Sequence, residues 1–264
     1  MILKPRLFRK PNLSNPISKG LVGCWLMNEG SGNTVADLSG NGNTGTLISD
    51  VTWIGGDTGQ ALTFAGSNDW VQLPAGLPAF GTGDFTIIAK VKCPQDNAHR
   101  AFLSRGDAVG GGEALFYKDD TDRLRFYGDS GSINAAYLPQ SDSWPDDVWT
   151  LVGVTRSGSL LTLYQNGVAG GIDATAGADL NDAASWRIGA SNSGTYDYVG
   201  EMEYIYIYNR ALSASEIQQL DREPFCGYRW ESIIELASYV AAAGGSSVAK
   251  IMQQMNQFNG GQAA

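Results

Sequence analysis

The chain has one histidine, His99, and three cysteines, Cys24, Cys93 and Cys226, among its 264 residues. A single histidine excludes a His-rich metal centre. It also leaves any Ser-His-Asp relay dependent on one residue, which lies in the loop-like stretch QDNAHRA with no G-x-S-x-G elbow elsewhere. A surface-loop role suits it better. Three cysteines cannot all pair within one chain, and their spacing is not that of a disulfide scaffold, so they read as reduced thiols in or near apolar contacts. No apolar run reaches the roughly 18 residues that a membrane-spanning helix requires. The first twenty residues carry Pro5, Pro11 and Pro16 and no unbroken apolar stretch, so no export signal is visible, and the chain reads as made and folded in a reducing cytoplasm. The glycine run at 110–112 lacks the Lys-Ser/Thr of a phosphate loop and is read as a turn.

What is present is a core-forming composition, 43% hydrophobic and only 17% charged, with 34 glycines. Glycine at that frequency suits many tight turns between short strands. Turn signals recur at Ser39-Gly40-Asn41-Gly42, at Asp119 to Asp122, at Ser157-Gly158 and at Asn166-Gly167. The last lies between alternating apolar runs and predicts a two-residue hairpin. Charge is asymmetric: residues 1–20 hold five cations and no acid, so against a net charge of −9 the remainder carries −14. An acidic body of that size argues against nucleic acid as its partner, since phosphate selects for Lys and Arg.

The segment GEMEYIYIYNRALSASEIQQL, residues 200–220, joins two periods at a sharp boundary. Residues 200–208 are β-branched and aromatic and predict a buried strand. Ser213-x-x-Glu216 has the form of a capping box and predicts a short helix running to Leu220. This ending resembles the close of the laminin-G-like, concanavalin A-like jelly-roll domain. Two further stretches are similar to the same family in the same order: GLVGCWLMNEGSGNTVADLSGNGNTGTL from Gly20 and QALTFAGSNDWVQLP from Gln60. DFTIIAKVK, VWTLVGVTR and LLTLYQNGV read as successive strands between them. The resemblance implies an all-β fold, an antiparallel two-sheet jelly-roll sandwich over residues 20–220.

Candidate chemistry is sparse. Glu201 and Glu203, at i and i+2 on the closing strand, are a carboxylate pair of the kind a retaining glycosidase uses, but no third acid follows at Ile205 or Tyr206, so catalysis is not expected. The resemblance implies calcium, tied by Asp37, Asn41 and Asn43 of the D-x-S-G-N-G-N loop together with Glu203. A pentraxin-like variant would instead use Asp119, Asp120 and Asp122. Asp37 also has a plainer reading as an Asx turn. Sugar recognition needs aromatic platforms beside polar groups; Trp70, Tyr117, Tyr127, Trp186, Tyr196 and Tyr198 are available, most aromatics of a sandwich being core, and Tyr196 and Tyr198, in the loop SNSGTYDYVG, are the expected ligand-binding residues.

Outside the sandwich, residues 1–19 read as an extended basic arm with Ile2, Leu3, Leu7 and Phe8 as apolar contacts. After Leu220 the stretch DREPFCGYRW reads as a connector. Two helices follow, Trp230 to Ala243 and Val248 to Phe258, each with an apolar face too small to stand alone. Two attachment-like ends on an inert body, with no export signal, suit a part built to be attached, and the domain with its REPF connector (Arg222 to Phe225) resembles proteins of phage genomes; that resemblance implies a non-enzymatic virion protein of a tailed bacteriophage, either a head decoration protein or a tail-associated adhesin. Its expected partners are other virion proteins, further copies of itself and surface glycans. The alternatives are a free bacterial carbohydrate-binding lectin and, more weakly, a polysaccharide-acting enzyme of the same fold.

Overall fold

Runs of alternating apolar and polar residues, punctuated by glycine, set the architecture: each strand gives one face to a neighbour across the interior and the other to the outside. The computed structural model describes residues 4–5, 11–66, 68–106, 112–137, 144–174, 176–192 and 194–228. In chain order its first strands are β1 (Leu21–Trp25), β2 (Thr34–Val35), β3 (Gly45–Ile48), β4 (Thr52–Gly55), β5 (Gln60–Ala65) and β6 (Trp70–Gln72). Next come β7 (Phe85–Lys92), β8 (Arg100–Arg105), β9 (Ala114–Lys118), β10 (Leu124–Gly128) and β11 (Ile133–Tyr137). Then follow β12 (Thr150–Ser157), β13 (Leu160–Gln165), β14 (Val168–Asp173), β15 (Trp186–Ile188), β16 (Val199–Tyr208) and the helix α1 (Ala214–Arg222).

All ladders are antiparallel and fall into two sheets. One has the order β14-β13-β12-β7-β16-β5-β4, with β1 also paired to β16; the other runs β11-β10-β9-β8-β15-β6-β3-β2. This is the two-sheet sandwich expected from the sequence. The Asn166-Gly167 turn joins β13 to β14 with both residues at positive φ, 48° and 75°, which is the geometry a two-residue hairpin needs.

The strand β16 is buried on both faces, and a bulge explains how. Between Met202 and Tyr204 the register against β7 shifts, so that Glu203 is the extra residue. Beyond it Ile205 and Ile207 join Met202 in the core between the sheets, while Tyr204, Tyr206 and Tyr208 enter a second cluster on the outer side. That outer cluster is covered by α1 through Ile217 and Leu220. The capping box is formed: the Ser213 side chain accepts from the Glu216 N–H, and Glu216 accepts from the Ser213 N–H at 2.8 Å.

The ends differ from the boundaries read at Gly20 and Leu220. The helix continues to Arg222, and residues 11–19 and 223–228 lie together on the outer cluster. Pro11 bridges Tyr228, Asn12 N–H donates to Gly227 O at 2.8 Å, and Asn15 Nδ2 donates to Cys226 O at 2.7 Å. Ile17, Phe225 and Tyr228 are buried there. The supposed arm and connector therefore belong to the sandwich from Pro11 to Tyr228, because the tyrosine stripe of β16 needs more apolar cover than a two-turn helix supplies. The predicted helices at Trp230 to Ala243 and Val248 to Phe258 lie outside the described residues.

Candidate functional site

Pairing registers across the second sheet generate two transverse rows of side chains. The row Ala135, Phe126, Phe116, Leu103, Ile188, Val71 and Leu47 faces the interior and builds the core. One step along each strand, the opposite face carries Asn134, Tyr127, Leu115, Ser104, Arg187, Gln72 and Thr46, paired strand to strand. The outer face is thus polar and aromatic over most of its width.

A cavity of about 270 Å³ opens on this face between β8, β9, β10, β11 and the loop before β16. Its walls include Glu113, Tyr117, Arg125, Tyr127, Ser191 and Tyr196. Tyr196 stacks on Tyr117 with ring centroids 5.5 Å apart and planes at 23°, and the His99 ring lies 4.4 Å from Tyr196. His99 is thereby half-buried beneath the aromatic wall, where the sequence suggested only a surface loop. Burial pushes the Tyr117 phenol up to about 12, with the Arg125 guanidinium acting in the opposite direction, so the ring presents a neutral O–H at physiological pH.

Two charged groups in the wall have unmet hydrogen-bonding capacity. Glu113 is 2% exposed; its Oε1 accepts from the Ser130 N–H at 2.6 Å, whereas Oε2 is buried with no protein partner. Arg125 donates through Nη1 to Asp119 Oδ2 at 3.2 Å and through Nη2 to Asn134 Oδ1, while its Nε is buried and unpartnered. A buried polar atom without a partner costs about 1–3 kcal/mol. Beyond the Ser191–Tyr196 loop a shallower depression of about 550 Å³ is lined by Gln72, Pro74, Arg187 and Asn192, with Arg187 stacked 4.6 Å over the Trp70 ring.

The residues expected from the sequence divide. Tyr196 is in the cavity. Tyr198 is fully buried, edge-on to Phe64 and Phe102, with its O–H within 3.0 Å of Lys92 O and of Glu201 O. The expectation that Tyr198 binds ligand is corrected: the chain crosses from one sheet to the other between β15 and β16, and the residue at the crossing falls inside. Arg125, Glu113 and His99 were not singled out as a site, and Tyr117 stood only among the available aromatics. Only the strand registers bring them together.

Of the four residues expected around calcium, Asp37, Asn41 and Asn43 share one turn, each bonded to β1 and Asp37 also to Asn43, while Glu203 is engaged by Thr58. Asp37 Oδ1 accepts from the N–H groups of Cys24 (2.9 Å) and Ser39 (2.8 Å), and Oδ2 from the Ser39 hydroxyl (2.8 Å) and the Asn43 N–H (2.9 Å). Asn41 Nδ2 donates to Leu21 O and Val22 O, and Asn43 Nδ2 to Val22 O. This is the Asx-type turn, with the carboxylate tying the loop to β1. Glu203, fully buried, instead accepts from the Thr58 N–H at 2.7 Å and the Thr58 hydroxyl at 3.1 Å. In the other loop Asp119 accepts from the Thr121 and Arg123 N–H groups and Asp122 from Lys118 Nζ. Burial acts to raise the Asp119 carboxyl, but those N–H groups and the Thr121 hydroxyl hold it below the usual carboxylate value. Among the described residues no group of three or more His, Cys, Asp or Glu is placed to hold a metal ion. Glu201, the other acid of the pair on β16, is ion-paired with Lys92 at 3.2 Å.

Residues 64–218 match the family described as the concanavalin A-like lectin/glucanases superfamily (Laminin_G_3). Among curated proteins, adhesion G-protein coupled receptor V1 of Danio rerio is 25% identical over 149 residues, which is 53% of this chain and 2% of the receptor. Among solved structures, the binding domain of Paraclostridial Mosquitocidal Protein 1 superposes with TM-score 0.62 at 20% identity, covering 80% of this chain and 53% of that one. Domain 4 of AbnA, a GH43 extracellular arabinanase from Geobacillus stearothermophilus, in complex with arabinotriose, superposes with TM-score 0.61 at 18% identity, covering 76% of this chain and 98% of that one. Trypanosoma rangeli sialidase in complex with sialic acid gives TM-score 0.58 at 21% identity, covering 76% of this chain and 32% of that one. At these identities the structural likenesses establish the fold. The chain belongs to the concanavalin A-like lectin/glucanases superfamily.

Proposed function

We propose that this member of the concanavalin A-like superfamily is a non-enzymatic carbohydrate-binding protein whose site is the cavity on the outer face of the β11 to β2 sheet. The observation that carries the reading is the convergence of the stacked Tyr117–Tyr196 pair with the polar side chains of Glu113, Arg125, Asn134 and Tyr127 in the walls of one cavity of about 270 Å³. Aromatic faces pack against apolar sugar faces while a few placed polar groups orient the hydroxyls. The cavity's size suits one or two sugar units. Two of the structural relatives are described with bound sugars, arabinotriose and sialic acid, which supports the class of ligand. The absence of a reaction rests on the two strand acids, one in an ion pair and one held by Thr58. The test is glycan-array binding followed by titration calorimetry on the full chain. Tyr117→Ala and Tyr196→Ala should each weaken the best glycan at least tenfold; binding unaltered in both would overturn the reading.

The attachment of this sandwich to a virion is a second proposal. It is favoured by the asymmetric charge, five cations and no acid in residues 1–20 against −14 in the rest, and by the apolar stripes in the sequence after Trp230. An acidic body with a basic end can be held by a partner while its sugar-binding face stays free. Loss of the protein from purified particles on deleting residues 229–264 would support it. Retention after that deletion and after neutralising Arg6, Arg9 and Lys10 together would contradict it.

A further inference from the structure

The sequence reads residues 1–19 as an extended basic arm, yet one residue near its start is seated in the sandwich. Lys4 is only 7% exposed. Its N–H donates to Thr58 O at 3.0 Å, its Nζ donates to Gln60 O, and the next carbonyl, Pro5 O, accepts from Asn28 Nδ2 at 3.3 Å. Burying an ammonium costs free energy unless opposite charge and acceptors meet it. Glu203 on β16 and Glu29 in the loop after β1 supply that charge. Glu203 is fully buried, and Glu29 Oε2 is buried with no hydrogen-bonding partner. Burial lowers Lys4 to about 8 while the two carboxylates act to raise it, so its ammonium is still charged at neutral pH.

We propose that the β4–β5 turn, Glu203 and Glu29 form a socket for a primary ammonium on an unbranched alkyl stem, filled in this chain by Lys4, which latches the N-terminal segment to the sandwich. The turn is cut to fit both the acid and the stem. At Gly56 a Cβ would strike Glu203 Oε1, so glycine lets the turn close on the carboxylate. At Gly59 a Cβ would stand 2.9 Å from Asn28 Oδ1 and 3.3 Å from Lys4 Cδ, in the space the stem crosses. Hydrogen bonds within the fold already engage the acids: Glu203 accepts from the Thr58 N–H and hydroxyl, and Glu29 Oε1 from the Ala36 N–H at 2.8 Å. What they still require is mainly a balancing positive charge, and Gln60 O requires a donor. One ammonium supplies both. The strands β4, β5 and β16 belong to the sheet opposite the candidate sugar cavity, so the socket stands apart from the carbohydrate-binding reading.

The test is chemical rescue of the full-length chain carrying Lys4→Ala, which keeps the Cβ and empties the socket of the rest of the side chain. n-Propylammonium chloride replaces the missing carbons and amine, with sodium chloride and tetramethylammonium chloride at equal ionic strength as controls. At about 100 mM, n-propylammonium is expected to raise the melting temperature of the variant by about 3 °C or more over sodium chloride, and to leave the wild type, whose socket is filled, within about 1 °C. Tetramethylammonium, which has the charge but no N–H for Gln60 O, should give no rise. Combining Lys4→Ala with Glu29→Gln, or with Glu203→Gln, should remove most of the effect by removing a carboxylate charge. No rise over sodium chloride in Lys4→Ala overturns the proposal, as does an equal rise in the wild type or with tetramethylammonium. An undiminished rise in the folded Glu29→Gln combination also overturns it. If neither combination folds, the comparison of Lys4→Ala with wild type decides the matter alone.

Discussion

Alkaline pH should unfold this chain steeply between about pH 10 and 11, because the fold buries protons that the unfolded chain releases. Burial pushes the Cys93 thiol from an ordinary 9.0 to about 12, with Lys118 acting the other way. Burial likewise holds Cys24 well above its ordinary value, opposed by the hydrogen bond from Tyr228. A group whose folded pKa is raised contributes its full stability below the unfolded pKa and loses it as pH climbs toward the folded one. Each pH unit in that window is worth about 1.4 kcal/mol per group, so at pH 11 the Cys93 thiol costs about 2.7 kcal/mol, and Cys24 adds in the same direction. Burial also raises the five phenols Tyr198, Tyr204, Tyr206, Tyr208 and Tyr228. Each loses stability in the same direction as pH climbs past its ordinary value, against a domain's entire stability of about 5–15 kcal/mol. Lys4 runs against this trend. Burial lowers it from 10.5 to about 8, with Glu203 and Glu29 opposing, and a base lowered on folding stabilises increasingly as pH rises through that window. The expected profile of urea midpoints, measured under reducing conditions, is therefore nearly flat from pH 8 to 9 and falls sharply above 10. Cys93→Ala should reduce the slope between pH 9.5 and 11 by about 1.4 kcal/mol per pH unit relative to wild type. Stability that stays level to pH 11, or an unchanged slope in that variant, would refute the reasoning.

Arg156 is fully buried, donates to Gly83 O (2.9 Å), Ala178 O (3.0 Å) and Gly81 O (2.6 Å), and lies 4.9 Å over the Phe85 ring. Arg156→Met should cost about 3–5 kcal/mol in urea unfolding, since the carbonyls of two crossing loops lose their common donor; a cost under about 1 kcal/mol would mean those loops do not depend on it. Tyr198→Phe should lower stability by about 1–2 kcal/mol and leave glycan affinity unchanged, the reverse of Tyr196→Ala, as unfolding and calorimetry on both variants will show. Calcium at millimolar concentration should leave the melting temperature within about 1 °C of its value in chelator, because four protein donors already fill the Asp37 carboxylate. A rise of several degrees would require a different arrangement of that loop.

Much of the fold was legible because its signals are local. The Asn166-Gly167 turn, the Ser213–Glu216 box and the tyrosine–isoleucine alternation of β16 each depend on residues a few positions apart, and each stands where the sequence put it. Asp37 was legible for the same reason, its plainer Asx-turn reading needing only Ser39 and Asn43 nearby. The candidate cavity was not, since Glu113, Tyr117, Arg125 and Tyr196 come from separate strands and loops and meet only through pairing registers. Tyr198 misled because a loop position suggests exposure, which fails where the chain passes between sheets. Boundaries at Gly20 and Leu220 also failed: proline-rich stretches with little regular structure read as linkers, yet Ile17, Phe225 and Tyr228 are needed to cover the outer tyrosines.

The central claim, that the outer face of the second sheet binds sugar, is tested most directly by mapping amide chemical-shift changes in the isotope-labelled chain as the best array glycan is added. The account predicts changes concentrated at 113–117, 125–134 and 191–196, abolished by Tyr196→Ala. Changes centred instead on the 37–43 loop or on the β14 to β4 sheet, and undisturbed by that substitution, would contradict it.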